Sequence, residues 1–127
     1  MKSVQPDATI FDPPPINESV ALAPAAALFH SLADPTRLAI LRHLALGEHR
    51  VVDLTAHLGL AQSTVSAHLA CLAACGLTRS RPHGRASLWS LTTQSQLLSL
   101  LAVAERLLDV TGDAVALCPL SAPRDPE

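Results

Sequence analysis

The chain has 127 residues and a net charge of −2, and 49% of its residues are hydrophobic while only 2% are aromatic. This length suits one domain, and an aliphatic core nearly without aromatic rings favours helices over sheets. No apolar run reaches the roughly 18 residues that span a bilayer, and the N-terminus lacks a signal-peptide pattern. The three cysteines are irregularly spaced, which argues against a disulfide framework. We therefore expect a cytoplasmic protein with reduced thiols and no membrane partner.

The charges are segregated along the chain. No Asp or Glu occurs between Leu54 and Ala104, whereas this stretch carries Arg79, Arg81 and Arg85. A cationic centre between acidic ends is a plausible footprint for the phosphates of a nucleic acid, although an ordinary arginine-bearing surface would have the same composition.

The first elements follow a proline-rich opening. Residues 1–17 contain a run of three prolines and predict a disordered or loosely attached arm. A helical pattern starts at Glu18 and breaks after Leu32. The pair Asp34-Pro35 predicts the start of a second helix, since Asp caps the free N–H groups and Pro fits the first helical position.

Two short helices are predicted in the middle of the chain. The first covers about residues 51–58 and is closed by Gly59, and the second runs from about Gln62 to Cys75 and ends at Gly76. Two short helices with only a three-residue connection are typical of a helix-turn-helix. The second helix is then the recognition helix, whose first turns face the major groove of DNA.

Alternating residues on both sides of a predicted turn at residues 82–85 indicate a β-hairpin, which behind a helix-turn-helix is a wing. A last helix from Thr92 is too apolar for the solvated surface of a monomer, so we expect it to form a homodimer interface with the first helix. The predicted fold is mainly α with a small β-hairpin, a homodimeric winged helix-turn-helix. Its predicted limits are residues 18–111, with a tail at residues 112–127.

Short polar side chains gather on the first two turns of the recognition helix. They can bond to base edges or phosphates, and the arginines of the wing can contact the flanking backbone or the minor groove. A dimer would read double-stranded operator DNA with an inverted repeat. The predicted DNA-binding residues are Gln62, Ser63, Thr64, Ser66, His68, Arg79, Arg81 and Arg85.

Two of the cysteines are four residues apart on the recognition helix. Cys71 and Cys75 therefore share one face, about 5–6 Å apart at Cβ, which is too far for an unstrained disulfide. Two thiolates around a soft metal fit this spacing, and Cys118 in the tail is a candidate third ligand. Buried cysteines that act as small hydrophobic residues are the commoner alternative.

Three segments resemble one known family. Residues 32–41 (LADPTRLAIL) resemble the signature opening of the ArsR/SmtB family of bacterial metal-responsive repressors, and residues 60–69 (LAQSTVSAHL) resemble its recognition helix. Gly76-Leu77 with the following hairpin resembles its wing. The resemblance covers roughly residues 20–110. Ala61 departs from the family's usual Ser or Thr cap, so we expect a slightly frayed helix start.

Residues 68–77 (HLACLAACGL) resemble the cadmium- and lead-sensing members of that family. The resemblance implies a Cd(II) or Pb(II) site of Cys71 and Cys75 with Cys118, shared across the dimer; Zn(II) is a further candidate. It also implies a repressor that binds its operator without metal and is released on metal binding. The family's other sensor sites lack their ligands here. The remaining histidines, His30, His43, His49 and His57, are expected to be scattered and to be structural or solvated.

Three alternatives remain open. The same fold can use its cysteines as a redox switch, which predicts release by oxidant and indifference to cadmium. A dimeric helical interaction protein predicts no salt-sensitive binding to DNA. An enzyme is not expected, because no His–acid pair is evident to activate Cys71 or Cys75 as a nucleophile.

Overall fold

The computed structural model describes residues 17–119, which form five helices and one antiparallel hairpin. The chain order is α1 (Glu18–Leu32), α2 (Pro35–Leu44), α3 (Val51–Leu58), α4 (Gln62–Ala74), β1 (Thr78–His83), β2 (Ala86–Leu91) and α5 (Gln94–Thr111). The prediction of a mainly helical chain with a small hairpin is confirmed. The predicted N-terminal arm, except Asn17, and the end of the tail lie outside the described residues.

The helix boundaries follow local capping chemistry. The Asn17 side chain accepts the N–H of Ser19 at 2.9 Å and starts α1, and Asp34 accepts the N–H of Arg37 at 3.0 Å and starts α2. Gly59 ends α3 in the left-handed region at φ 67°, which glycine adopts without steric cost. The predicted start of α2 at Asp34-Pro35 and the predicted end of α3 at Gly59 are thus confirmed.

One aliphatic core joins the helix-turn-helix to the helices around it. Ile40 of α2, Leu54 of α3 and Val65, Leu69 and Leu72 of α4 are fully buried. Leu97, Leu98 and Leu101 of α5 join the same cluster. Burying each such side chain stabilises the fold by about 1.5–3 kcal/mol before entropy costs, so α4 is held firmly from its inner face.

The hairpin is tighter than the sequence predicted. Its strands pair from Thr78↔Leu91 to His83↔Ala86, which leaves a two-residue turn at Gly84-Arg85 instead of the predicted four-residue turn. Gly84 has φ 63°, the left-handed conformation that such short turns require. At the other helix boundaries, α4 ends at Ala74 and α5 begins at Gln94, within two residues of the predictions.

Backbone bonds fasten the wing to the helix-turn-helix. His49, in the loop before α3, exchanges two backbone hydrogen bonds with Trp89 of β2, at 3.1 and 2.8 Å. The N–H of Thr92 donates to the carbonyl of Leu77 at 3.1 Å. The loop before α3 and the wing strand β2 are therefore one hydrogen-bonded unit.

Candidate functional site

The two faces of α4 differ in chemistry. Gln62, Ser63, Thr64 and Ser66 are exposed on its first two turns, while Val65 is fully buried on the opposite side. A row of exposed hydroxyl and amide groups on a helix braced by its apolar face can bond to DNA without disturbing the core. The structure thus brings these four predicted residues together on one exposed surface.

The start of α4 lacks a side-chain cap, as the presence of Ala61 predicted. Ala61 has the extended backbone of a cap residue, φ −67° and ψ 149°, but its methyl group cannot accept a hydrogen bond from the helix. The first N–H groups of α4 receive no bond from this cap side chain. The exposed polar surface therefore begins at an uncapped helix end.

The three predicted wing arginines have different surroundings. Arg79 and Arg85 are exposed. Arg81 instead donates two hydrogen bonds of 2.9 Å to the carboxylate of Glu48. The bond from Arg81 is the main reason why the pKa of Glu48 lies below its usual value. Arg81 is thus already paired with an acid, whereas Arg79 and Arg85 project from the hairpin.

A groove of about 370 Å³ separates the hairpin from the helix-turn-helix. Its walls include Gln62 at the start of α4, Arg85 of the turn, and Arg50 just before α3. Arg50 was missed by the sequence analysis, because it precedes the acid-free stretch. Its guanidinium is bonded to Asp53 at 3.2 Å and remains half-exposed.

His68 lies apart from the other predicted DNA-binding residues. Its Nδ1 is 3.3 Å from the Arg37 guanidinium, which can only donate, so this nitrogen accepts. Its Nε2 is 4.0 Å from the Asp34 carboxylate. Arg37 also donates to the carbonyls of His30 and Ser31. His68 thus belongs to a polar network at the α1–α2 junction.

Cys71 and Cys75 are half-buried and face α1. The hydroxyl oxygen of Ser31 lies 2.7 Å from the Cys75 sulfur and 4.0 Å from the Cys71 sulfur. The Cys75 thiol also lies 3.6 Å from the carbonyl of Ala27, to which it can donate. Ser31 is fully buried, and sequence reasoning missed it because it looks like an ordinary polar residue of an amphipathic helix.

Cys118 is buried elsewhere in the chain. Only 6% of its surface is exposed, and its backbone N–H donates to the carboxylate of Glu105 on α5. Within residues 17–119, the group of three potential ligands that one ion could contact consists of His43, His49 and His57, not of the three cysteines. The expectation that these three histidines are scattered is wrong, because the fold gathers them.

Comparisons with known proteins agree with this geometry. Residues 34–80 match the family model described as "Bacterial regulatory protein, arsR family". CmtR, an HTH-type transcriptional regulator of Mycobacterium tuberculosis, is 40% identical over 88 residues, which cover 69% of this chain and 75% of CmtR. The chain belongs to the ArsR family. It is therefore a DNA-binding transcriptional regulator and not an enzyme, and the predicted family is confirmed.

Two further similarities bear on function and fold. A probable mercury resistance operon repressor of Streptomyces lividans is 42% identical over 60 residues, which cover 47% of this chain and about half (48%) of that repressor. A homodimeric winged helix-turn-helix DNA-binding domain of Mycobacterium bovis superposes with a TM-score of 0.64 at 27% identity, covering 74% of this chain and 89% of that domain. The predicted winged helix-turn-helix fold is confirmed. Within residues 17–119, no helix is long and apolar enough to cross a membrane.

Proposed function

We propose that this chain is a homodimeric repressor that binds an inverted-repeat operator without metal and leaves it on binding Cd(II) or Pb(II) through Cys71, Cys75 and Cys118. The observation that carries the proposal is that α4 and its C-cap hold both groups of residues. The first two turns of α4 present exposed polar groups, and its last part with the C-cap Cys75 places two thiols against a buried hydroxyl of α1. This one helical segment thereby joins the DNA surface to the thiol pair.

The DNA contacts proposed for α4 are Gln62, Ser63, Thr64 and Ser66, all of which are exposed. Arg79 and Arg85 are suited to contacts with DNA phosphates, since no acid is within salt-bridge distance of them among the described residues. For Arg81 to contact DNA, it must leave Glu48. We assign His68 to positioning α4 against Arg37 and Asp34 and no longer to base contact.

The homodimer is proposed to form through α1 and α5. Both helices expose large apolar side chains, with exposed fractions of 59% for Phe29, 64% for Leu107 and 85% for Val110. Such a surface is costly in water and is usually covered by a partner. The Mycobacterium bovis domain of the same fold is homodimeric, which supports this assignment.

The thiol pair fits a soft metal ion. The two sulfurs share one hydroxyl neighbour within 4.0 Å, and each is half-buried. A bound Cd(II) or Pb(II) would supply a thiophilic centre that several sulfurs can share, with Zn(II) a harder competitor. The similarity to a probable mercury resistance repressor supports a soft effector. Because Cys118 is not grouped with the pair within one chain, we assign the third ligand to the partner subunit's tail.

Ligand formation changes the contact between α4 and α1. The Cys75 sulfur must be a deprotonated thiolate to bind metal, so it can no longer donate to the carbonyl of Ala27 or to Ser31. Since α1 is also part of the proposed dimer interface, a shift of α4 on α1 changes the distance between the two recognition helices. That distance must match half-sites about 34 Å apart, so DNA affinity falls.

The proposal is tested with a fluorescein-labelled DNA duplex. The duplex contains an inverted repeat from the DNA upstream of the gene that encodes this protein. Anisotropy is followed during titration with Cd(II), Pb(II), Zn(II) or a thiol oxidant, and ultraviolet thiolate-to-metal absorption is recorded in parallel. Release by Cd(II) or Pb(II) with matching absorption supports the proposal. Release by oxidant alone favours a redox switch, and a lack of salt-sensitive DNA binding favours a protein-interaction role.

A further inference from the structure

Three histidines from different parts of the chain meet beside the helix-turn-helix. His43 lies in the last turn of α2, His49 in the loop before α3, and His57 in the last turn of α3. One ring nitrogen from each lies within 4.8 Å of the other two. The rings of His43 and His57 are stacked with centroids 4.9 Å apart, and His49 meets both edge-on at 6.1 and 5.7 Å.

The backbone holds His49 in place, and its ring has a defined free nitrogen. Both backbone groups of His49 are bonded to Trp89 of the wing. Its Nδ1 lies 2.8 Å from the carbonyl oxygen of Gly47. Since a carbonyl can only accept, Nδ1 carries the hydrogen, and the neutral ring leaves the lone pair on Nε2. A histidine that binds metal is commonly oriented in this way, through a carbonyl on its other nitrogen.

The surroundings of His43 favour its neutral ring. Partial burial is the main reason why the pKa of His43 lies below its usual value, followed by the positive charge that His57, His49 and Arg42 would place beside it. A neutral imidazole keeps the lone pair that a metal ion needs. His43 and His49 are half-buried and His57 is exposed, so a hydrated ion can reach the three rings from solvent.

We propose that His43, His49 and His57 form a second metal site, separate from the cysteines, for a borderline divalent ion such as Zn(II). Imidazole nitrogens suit Zn(II) and its neighbours better than the soft ions that thiolates select. Three imidazoles with a water molecule complete the tetrahedral set that Zn(II) adopts, with bonds of about 2.0–2.1 Å. The ring nitrogens, now within 4.8 Å of one another, would have to draw closer by side-chain rotation to share such an ion.

This site would connect α2, α3 and the loop before α3, which is itself bonded to the wing. His43 belongs to α2 and His57 to α3, and His49 is bonded to the wing strand β2. An ion held by all three would cross-link the first helix of the helix-turn-helix to its neighbours. Zn(II) binding is therefore expected to stabilise the folded domain, whether or not the cysteines bind metal.

The test uses a variant without the thiol pair, Cys71→Ser/Cys75→Ser, in which Cys118 remains buried. Calorimetry with Zn(II) is expected to find one ion per chain, and Co(II) is expected to give ligand-field bands without thiolate charge transfer. Adding His57→Gln should weaken Zn(II) binding at least about tenfold, since it removes one of three ligands. His30→Gln is the matched control, because His30 is exposed on α1 outside the cluster.

Thermal unfolding provides a second measurement. Saturating Zn(II) should raise the Tm of the thiol-free variant by about 4 °C or more, and this rise should shrink with His57→Gln but persist in full with His30→Gln. In the wild-type chain, His57→Gln alone should weaken Zn(II) binding at one site per chain by the same factor. Equal Zn(II) affinity with and without His57→Gln, or no Zn(II) binding by the thiol-free variant, would overturn the proposal.

Discussion

The hydroxyl oxygen of Ser31 lies 2.7 Å from the sulfur of Cys75, which joins the middle of the chain to α1 through a buried polar contact. Ser31 is fully buried, so its hydroxyl depends on protein partners. Both proposed metal-binding thiols, Cys71 of α4 and Cys75 at its C-cap, are neighbours of this single group. The Ser31 hydroxyl is therefore a neighbour of both sulfurs when no metal is bound. Its hydrogen bonding to them must change when the sulfurs become metal ligands.

Replacing the hydroxyl tests how much this contact stabilises the metal-free fold. Ser31→Ala should lower the free energy of unfolding by about 1 kcal/mol, because a buried hydrogen bond is lost, while thiolate–Cd(II) absorption keeps its full amplitude. Urea denaturation followed by circular dichroism measures the first effect. Ser99→Ala, at an exposed position of α5, is the control. An unchanged stability of Ser31→Ala would show that the contact contributes nothing.

Ligation by the partner subunit's tail is tested with mixed dimers. Cys71→Ser and Cys118→Ser chains each lack a complete set of three thiolates. After subunit exchange, about half the dimers are mixed, and each mixed dimer regains one complete site if Cys118 binds across the two-fold axis. Three-thiolate Cd(II) absorption should then recover to about a quarter of the wild-type amplitude. No recovery on mixing would place Cys118 in its own subunit's site or outside it.

Glu48, which pairs with Arg81, should weaken operator binding by the wild type. Glu48→Gln removes the charge that holds Arg81 in a two-bond ion pair, so the guanidinium becomes free to bind phosphate. Operator binding should tighten, and the slope of log K against log salt should steepen by about 0.9 for each additional phosphate that the protein neutralises. Anisotropy at several salt concentrations measures both. Arg81→Ala should show neither change, and an unchanged slope in Glu48→Gln would contradict a role for Arg81.

The cap of α2 predicts the acid sensitivity of the fold. Asp34 accepts the N–H of Arg37, and this bond is the main reason why the pKa of Asp34 lies below 3.8. A lowered pKa means that the stabilisation is fully present above the ordinary value and is lost as the pH falls through the folded-state pKa. Urea unfolding between about pH 3 and pH 6 should therefore show a loss at the acid end.

Asp34→Asn separates this carboxylate from the other acids. Asn remains a good cap residue, so the variant should fold while showing a weaker dependence of stability on pH below about 4. Asp113→Asn, in the exposed segment after α5, is the control and should keep the wild-type dependence. An identical acid slope in Asp34→Asn and the wild type would contradict the assignment.

The local parts of the fold could be predicted from the sequence, and the contacts between distant elements could not. Asp34, Pro35 and Gly59 act within one helix turn, so their patterns indicate the helix ends directly. The hairpin turn was predicted two residues too long, because Pro82 sits inside a strand that also forms the edge of a two-stranded sheet, where a missing N–H is tolerated.

In the candidate site, too, local spacing predicts the exposed residues but not the contacts between distant elements. The exposed residues of α4 follow from helical spacing, but Ser31 is 44 positions from Cys75, and no local pattern indicates that pairing. The position of His68 on α4 suggests a DNA contact, but its ring instead lies against Arg37 and Asp34 at the start of α2. His43, His49 and His57 meet only because α2, α3 and the wing pack at one corner.

The most direct test of the proposed switch is the ratio of operator dissociation constants with and without saturating Cd(II), compared between the wild type and Cys71→Ser. We expect Cd(II) to weaken operator binding by the wild type about 5- to 150-fold, a coupling of about 1–3 kcal/mol. Cys71→Ser should bind the operator with wild-type affinity in the absence of metal and show a ratio near one. A Cys71→Ser chain that still releases DNA like the wild type, or a wild-type chain that Cd(II) does not release, would contradict it.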